Sequence, residues 1–126
     1  MSGLDMDVGR HAIEEVNHFR TANGRWPLRV DDQLSQWAWD HTRWMVWGGG
    51  GFNHPGYGTL GNQTENIFQG RCQNPYDLAS HFIHHGDNVH RENFLREDIC
   101  AQGVAIYTSE YFDRYHLVLT WRARRQ

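Results

Sequence analysis

The segment AQGVAIYTSEYFDRYHLVLTW, residues 101–121, has a hydrophobic pattern unlike that of the chain before it. Its halves, AQGVAIYTS and YHLVLTW, alternate or run apolar in β-branched and aromatic residues, which pack well in strands. The residues between them, around SEYFDR, are typical of a turn. The segment therefore predicts an antiparallel hairpin at the end of the domain.

Two helices are predicted near the start of the chain. The first covers VGRHAIEEVNHFRTANG, residues 8–24, where apolar side chains recur at helical spacing and a glycine supplies the stop signal. The second covers DDQLSQWAWDHTRWM, residues 31–45, where Asp31 or Asp32 is the expected N-cap. The four glycines at 48–51 cannot continue this helix, so they predict either a mobile loop or a close backbone approach.

Two further helices are predicted in the second half of the chain. NPYDLASHFIHH, residues 74–85, begins with Asn74 as the cap and Pro75 at the first helical position. HRENFL, residues 90–95, predicts a short helix, and ENIF, residues 65–68, predicts a brief strand within a glycine-rich loop. Helices followed by strands predict an α+β fold.

Composition limits the possible functions. With 126 residues and 39% hydrophobic content, the chain is long enough for one packed domain, residues 1–126, and leaves little room for a second. The net charge of −3 argues against a general nucleic-acid binder, whose affinity depends on a basic surface. The short arginine run WRARRQ, residues 121–126, is interpreted as a solvated tail.

The sequence also bears on the location of the chain. It contains no apolar run of the roughly 20 residues that a membrane helix needs. Its beginning, MSGLDMDVGR, lacks the basic segment, apolar stretch and small-residue cleavage site of a secretion signal. We therefore expect no transmembrane segment and no signal peptide in this chain.

Four polar residues lie at the ends of predicted elements. His54 lies in the glycine-rich loop, Glu65 opens the ENIF strand, and Asp87 and His90 lie around the NVHRENFL turn. Neutral imidazole binds divalent metals, Zn²⁺ in particular, and a nearby carboxylate orients it. The set therefore has the chemistry of a divalent-metal site, although the spacing of these residues in the sequence does not itself indicate one. The alternative interpretation is a loop histidine, a strand-edge acid and a helix cap.

A second possible ligand set lies on the third helix. Asp77, His81 and His85 follow one another at intervals of four residues and would form one stripe. That stripe lies largely opposite the apolar residues Leu78 and Phe82, which favours a solvated helix face.

The order of these motifs resembles the CAP superfamily, which includes cysteine-rich secretory proteins, wasp-venom antigens and plant pathogenesis-related proteins. VNHFR, residues 16–20, is similar to the Asn-x-x-Arg signature of the family, and TENIF, residues 64–68, is similar to its Gly-Glu-Asn-Ile strand. VHRENFL, residues 89–95, resembles the bacterial Gly-His-Arg-x-Asn-Ile-Leu motif. The resemblance extends over roughly residues 10 to 121, nearly the whole chain.

The resemblance implies a three-layer α-β-α sandwich with a small central antiparallel sheet. It also implies a surface cleft in which His54, His90 and Glu65 meet a fourth residue. By position the fourth residue is Asp87, and a shifted alignment gives two alternatives, His84 and His85. Three further residues would form the structural motif around the cleft: Asn66, Arg91 and Asn93.

The two cysteines leave two possibilities open, one disulfide or two buried thiols. Cys72 follows the ENIF strand and Cys100 precedes the GVAIY strand, and these strands are expected to pair in one sheet. A bridge requires Cα atoms within about 7 Å of each other. We therefore predict that Cys72 and Cys100 lie near each other.

The resemblance implies a secreted or surface-exposed binding module that takes a divalent metal and contacts a lipid, glycan or protein. Four tryptophans around the second helix are spread too widely for one buried stripe and are candidates for a contact surface: Trp37, Trp39, Trp44 and Trp47. One alternative is a metal-dependent hydrolase with Glu65 as general base. Another is a structural or adhesion subunit of a virion or cell-surface assembly.

Overall fold

The structure, a computed structural model, describes residues 3–56 and 58–126. The helices in this part of the chain are α1 (Met6–Ala22), α2 (Asp32–Val46), α3 (Pro75–His84) and α4 (Asn88–Phe94). The strands are β1 (Gly3–Leu4), β2 (Arg29–Val30), β3 (Gln63–Cys72), β4 (Ile99–Tyr111) and β5 (Arg114–Arg125).

Local sequence signals determine where the helices begin. Each helix follows a residue whose side chain accepts a hydrogen bond from the first-turn backbone: Asp5, Asp31, Asn74 and Asp87. Pro75 lies at the start of α3, where its missing N–H costs nothing. The structure thus confirms the predicted caps of α2 and α3.

The sheet is built around the predicted hairpin. β4 and β5 pair antiparallel along nearly their whole length, and the strand order is β1-β4-β5-β3. β2 adds a short parallel pairing with β4. β3 pairs antiparallel with β5 from Gln63 to Cys72, so the strand is much longer than the brief one predicted at residues 65–68.

Helices cover both faces of this sheet, because alternate strand residues point to opposite sides. Phe68 and Leu119 pack with apolar residues of α1, α3 and α4 in the larger core cluster. Ile67 and Val118, their neighbours in the strands, pack with α2 on the other face. This arrangement confirms the predicted α-β-α sandwich.

The α2 helix lies directly on the sheet at Gly103. A Cβ atom added to Gly103 would lie 2.2 Å from the backbone nitrogen of Ser35 and 2.5 Å from the carbonyl carbon of Leu34. No side chain fits in that space, so a glycine is required for the helix to approach β4 this closely.

The interpretation of residues 121–126 as a solvated tail is wrong. These residues belong largely to β5, in which Trp121 is 1% exposed and Arg122 is 9% exposed. Alternating apolar residues continue the strand to Ala123, and the arginine side chains between them face the α2 side of the sheet. Arg122 therefore becomes part of the interior.

The predicted proximity of Cys72 and Cys100 is also wrong, and both thiols are free. β5 lies between the two strands that carry them. Cys72 is opposite Tyr115 at one end of β5, whereas Cys100 lies in the bulge opposite Arg124 at the other end. Tyr115 and Arg124 are nine positions apart along β5, which corresponds to roughly 30 Å in a strand. A disulfide needs Cα atoms within about 7 Å, so it cannot join the two cysteines.

None of the helices formed by residues 3–56 and 58–126 combines the length and the apolarity that crossing a bilayer requires.

Candidate functional site

The centre of the candidate site is Glu65, near the start of β3. Glu65 faces the α2 side of the sheet, and it lies opposite Arg122 of β5 in the strand register. Cross-strand partners on one face approach closely, so the pairing brings the two charged side chains together. The Glu65 side chain is fully buried, and that of Arg122 is 11% exposed.

Both oxygens of the Glu65 carboxylate have partners. Arg122 Nε donates to Oε2 at 2.7 Å, and His54 Nδ1 donates to Oε1 at 2.8 Å. His41 Nε2 lies 3.5 Å from Oε1. A buried carboxylate needs such compensation, because burying an isolated charge is very costly. The cluster therefore holds Glu65 in one orientation.

His41 forms the buried wall of this cluster. Its Nε2 lies 2.8 Å from the carbonyl oxygen of Asn53, which accepts a hydrogen bond and so requires the proton on Nε2. Its ring stacks on Trp44 at a centroid distance of 5.2 Å. Burial lowers the pKa of His41, outweighing the attraction of Glu65. His41 is therefore a neutral, positioning part of the site.

His54 is the exposed member of the cluster, with 56% of its side chain accessible. The glycine run before it folds back over Trp44, since a Cβ on Gly50 would lie 2.3 Å from the indole ring. Asn53 Nδ2 then donates to the Gly50 carbonyl at 2.9 Å. Of the two alternatives predicted for these glycines, the structure shows the close backbone approach.

His90 lies in α4, which packs on the other side of the sheet from α2. Its Nδ1 donates to Asp87 Oδ1 at 2.8 Å, and its backbone N–H donates to the same oxygen at 3.0 Å. These two hydrogen bonds are the main reasons that the pKa of Asp87 is lowered. The His90 ring also lies against Phe68, with centroids 4.5 Å apart. Asp87 is thus both a helix cap and the residue that orients His90.

The predicted structural motif connects α4 to β3. Asn66 Nδ2 donates to the His90 carbonyl at 2.9 Å, and Asn93 Nδ2 donates to Asn66 Oδ1 at 2.9 Å. Asn93 also reaches the Glu65 carbonyl at 3.4 Å. Arg91 has a different role, because it donates to the side-chain oxygen of Asn23 at 3.0 Å, in the loop after α1.

The two predicted metal ligands belong to two separate hydrogen-bonded pairs, His54 with Glu65 and His90 with Asp87. Within residues 3–56 and 58–126, no three His, Cys, Asp or Glu side chains form a group that holds a metal. The alternative in which His84 enters the cleft is wrong, because His84 Nε2 lies 2.6 Å from Glu15 between α3 and α1.

An open cleft of about 420 Å³ lies on the α2 side, next to the Glu65 cluster. Its lining combines aromatic, charged and small residues: Trp37, Asp40, His41, Trp44, Pro55, Gly56, Thr59 and Arg122. Trp37 and Trp44 are 38% and 39% exposed. Apolar surfaces with a few convergent charged groups are typical of ligand-binding sites.

Two residues of the cluster, Arg122 and His41, are not among the predicted site residues. The sequence does contain a signal for Arg122, since a charge inside an apolar run such as LVLTWRA needs a buried partner. His41 occupies an apolar position of α2 and gives no such signal. Only the packing of α2 on the sheet brings it to Glu65.

Comparisons with known proteins agree with this fold. The family model of the Cysteine-rich secretory protein family, CAP, matches residues 13–121. The chain belongs to the CAP family. Among solved structures, an outer surface protein from Borrelia burgdorferi is similar over 100% of both chains, with a TM-score of 0.68 and 13% sequence identity. No curated protein matches the sequence.

Proposed function

We propose that this CAP domain is a ligand-binding module that acts outside the cell or at a surface. The observation that carries the proposal is the exposed His54 side chain, held by the buried Glu65 at the edge of an aromatic cleft. Family membership and the similarity in fold to an outer surface protein support the location. A site held this rigidly is suited to binding, because its groups are ordered before a ligand arrives.

A divalent metal, Zn²⁺ by preference, is the first proposed ligand. His54 and His90 each donate from Nδ1 to a carboxylate, so in each neutral ring Nε2 is the nitrogen that retains a lone pair. Carboxylate-oriented histidines of this kind are common around bound metals. Glu65 and Asp87 would then orient the ligands, and binding by two histidines alone would be moderate in affinity.

Besides the metal ion, the cleft is proposed to bind a larger ligand, a glycan or a protein. Trp37 and Pro55 offer apolar surfaces in the cleft, while Asp40 and Arg122 offer opposite charges beside them. This mixture suits a ligand with both polar and apolar faces. A lipid chain, the third predicted partner, favours an enclosed apolar pocket, and this cleft is open.

The hydrolase alternative receives less support from the geometry. A general base needs a free lone pair directed at the proton that it removes. Glu65 instead has one oxygen paired with Arg122 and the other with His54. The role as a virion or cell-surface subunit stays a prediction, and recovery of the chain only as a free monomer in native extracts would contradict it.

Zinc titration tests the metal proposal. We expect either His54→Ala or His90→Ala to remove the one equivalent of zinc that the two histidines bind together at neutral pH, whereas His18→Ala, an exposed histidine of α1, should remove none. Binding seen at neutral pH should be lost in acid, because protons compete with the metal for imidazole. Equal zinc stoichiometry and affinity in the wild type and the His54→Ala, His90→Ala double variant would refute the proposal.

A further inference from the structure

The exposed face of α3 carries a pair of histidines outside the cleft. His81 and His85 lie one helical turn apart, and their ring centroids are 5.2 Å from each other with a 33° angle between the planes. His85 is the C-cap of α3, and its backbone N–H donates to the His81 carbonyl at 2.8 Å, so this hydrogen bond closes the last turn. Both side chains are exposed, as the solvated-face interpretation of this stripe predicts.

Neither imidazole of the pair has a competing hydrogen bond among the described residues, and unlike the other histidines that have none, His18 and His116, the two lie side by side. Five histidines bond to an acid, a carbonyl or a hydroxyl: His11, His41, His54, His84 and His90. Within residues 3–56 and 58–126, the side chains of His81 and His85 form no hydrogen bond or ion pair, and their rings lie against each other. Both lone pairs are therefore available to a ligand.

We propose that His81 and His85 chelate a divalent transition-metal ion. Two histidines at i and i+4 on one helix face are a recurrent zinc-binding arrangement. With metal–nitrogen bonds of about 2.1 Å and the ring centre roughly 1.1 Å beyond, tetrahedral coordination separates two ring centres by about 5 Å. The observed 5.2 Å matches this value, so the two rings already lie at the separation that chelation needs.

The chemistry of the pair defines the class of metal. Imidazole nitrogen suits Zn²⁺, Ni²⁺ and Cu²⁺, whereas Mg²⁺ and Ca²⁺ need oxygen ligands. No third His, Cys, Asp or Glu joins the pair as a metal-holding group among the described residues, so water would occupy the remaining positions. The pair shares no residue with the His54 and His90 site, and the two proposals stand on separate observations.

Titration with Ni²⁺ alone tests this proposal in a background that lacks the other site. In the full chain carrying His54→Ala and His90→Ala, we expect one bound Ni²⁺. Adding His81→Ala or His85→Ala should weaken its binding by at least about tenfold, because the chelate loses a ligand. His18→Ala, which removes an exposed single histidine, should leave the affinity unchanged.

A second readout identifies the place of binding. Ni²⁺ should slow amide hydrogen exchange at the end of α3, around residues 81–85, and only when both histidines are present. Unchanged Ni²⁺ affinity after loss of either histidine, or unchanged exchange at this turn, would overturn the proposal. Because the background already lacks His54 and His90, neither result depends on whether the cleft binds metal.

Discussion

Replacing Glu65 by glutamine should destabilise the protein strongly, although the two side chains have nearly the same shape. The change leaves Arg122, with its side chain only 11% exposed, without a carboxylate partner. Breaking a buried ion pair by removing one partner costs about 3–5 kcal/mol. We expect about 3 kcal/mol here, the lower end of that range, because Arg122 keeps a contact with Gln63 Oε1 at 3.4 Å.

Urea unfolding followed by far-UV circular dichroism at pH 7 measures this loss. A decrease of about 3 kcal/mol should also lower Tm by roughly 10–15 °C for a domain of this size. Asp40→Asn is the control, because Asp40 pairs with Arg43 on the surface and its loss should cost no more than about 1 kcal/mol.

The double variant Glu65→Gln, Arg122→Met makes the test specific for the ion pair. Removing both charges leaves no unpaired buried charge, so the double variant should be more stable than Glu65→Gln alone. The reasoning fails if Glu65→Gln changes the free energy of unfolding by less than about 0.5 kcal/mol, a change typical of an ordinary surface site. It also fails if the loss of stability in the double variant equals the sum of the losses in Glu65→Gln and Arg122→Met.

Two further predictions concern packing and pH. Gly103→Ala should lower the free energy of unfolding by about 3 kcal/mol, since its Cβ would meet the α2 backbone. The control in the same urea assay is Gly9→Ala, whose Cβ would lie 3.8 Å from Val104 and which should be neutral or stabilising. Burial holds the pKa of His41 below its ordinary value of about 6.5, so the unfolded state binds more protons and stability should fall as pH drops below that value. The fall in urea midpoint between pH 7.5 and 5 should be smaller in His41→Gln than in the wild type. An equal fall in both proteins would contradict the assignment of this pH dependence to His41.

Much of the fold is determined by short-range features of the sequence. The caps Asp31 and Asn74 start α2 and α3 because their side chains satisfy backbone donors only a few residues away. The hydrophobic pattern of residues 101–121 specifies the hairpin, since apolar residues at alternate positions of a strand all point to one buried face. The motifs around Glu65 and His90 indicate the CAP family for the same reason: each is contained in a few consecutive residues.

Tertiary structure alone decided which distant residues meet. The order of strands placed β5 between the two cysteines and made their bridge impossible, and strand register placed Arg122 opposite Glu65. Packing of α2 on the sheet then added His41 to the buried acid. Hydrophobic periodicity specifies that a face is buried but not which other face covers it, because burial is non-directional. The sequence alone therefore does not identify Arg122 and His41 as partners of Glu65, and only the strand register and the packing of α2 on the sheet do.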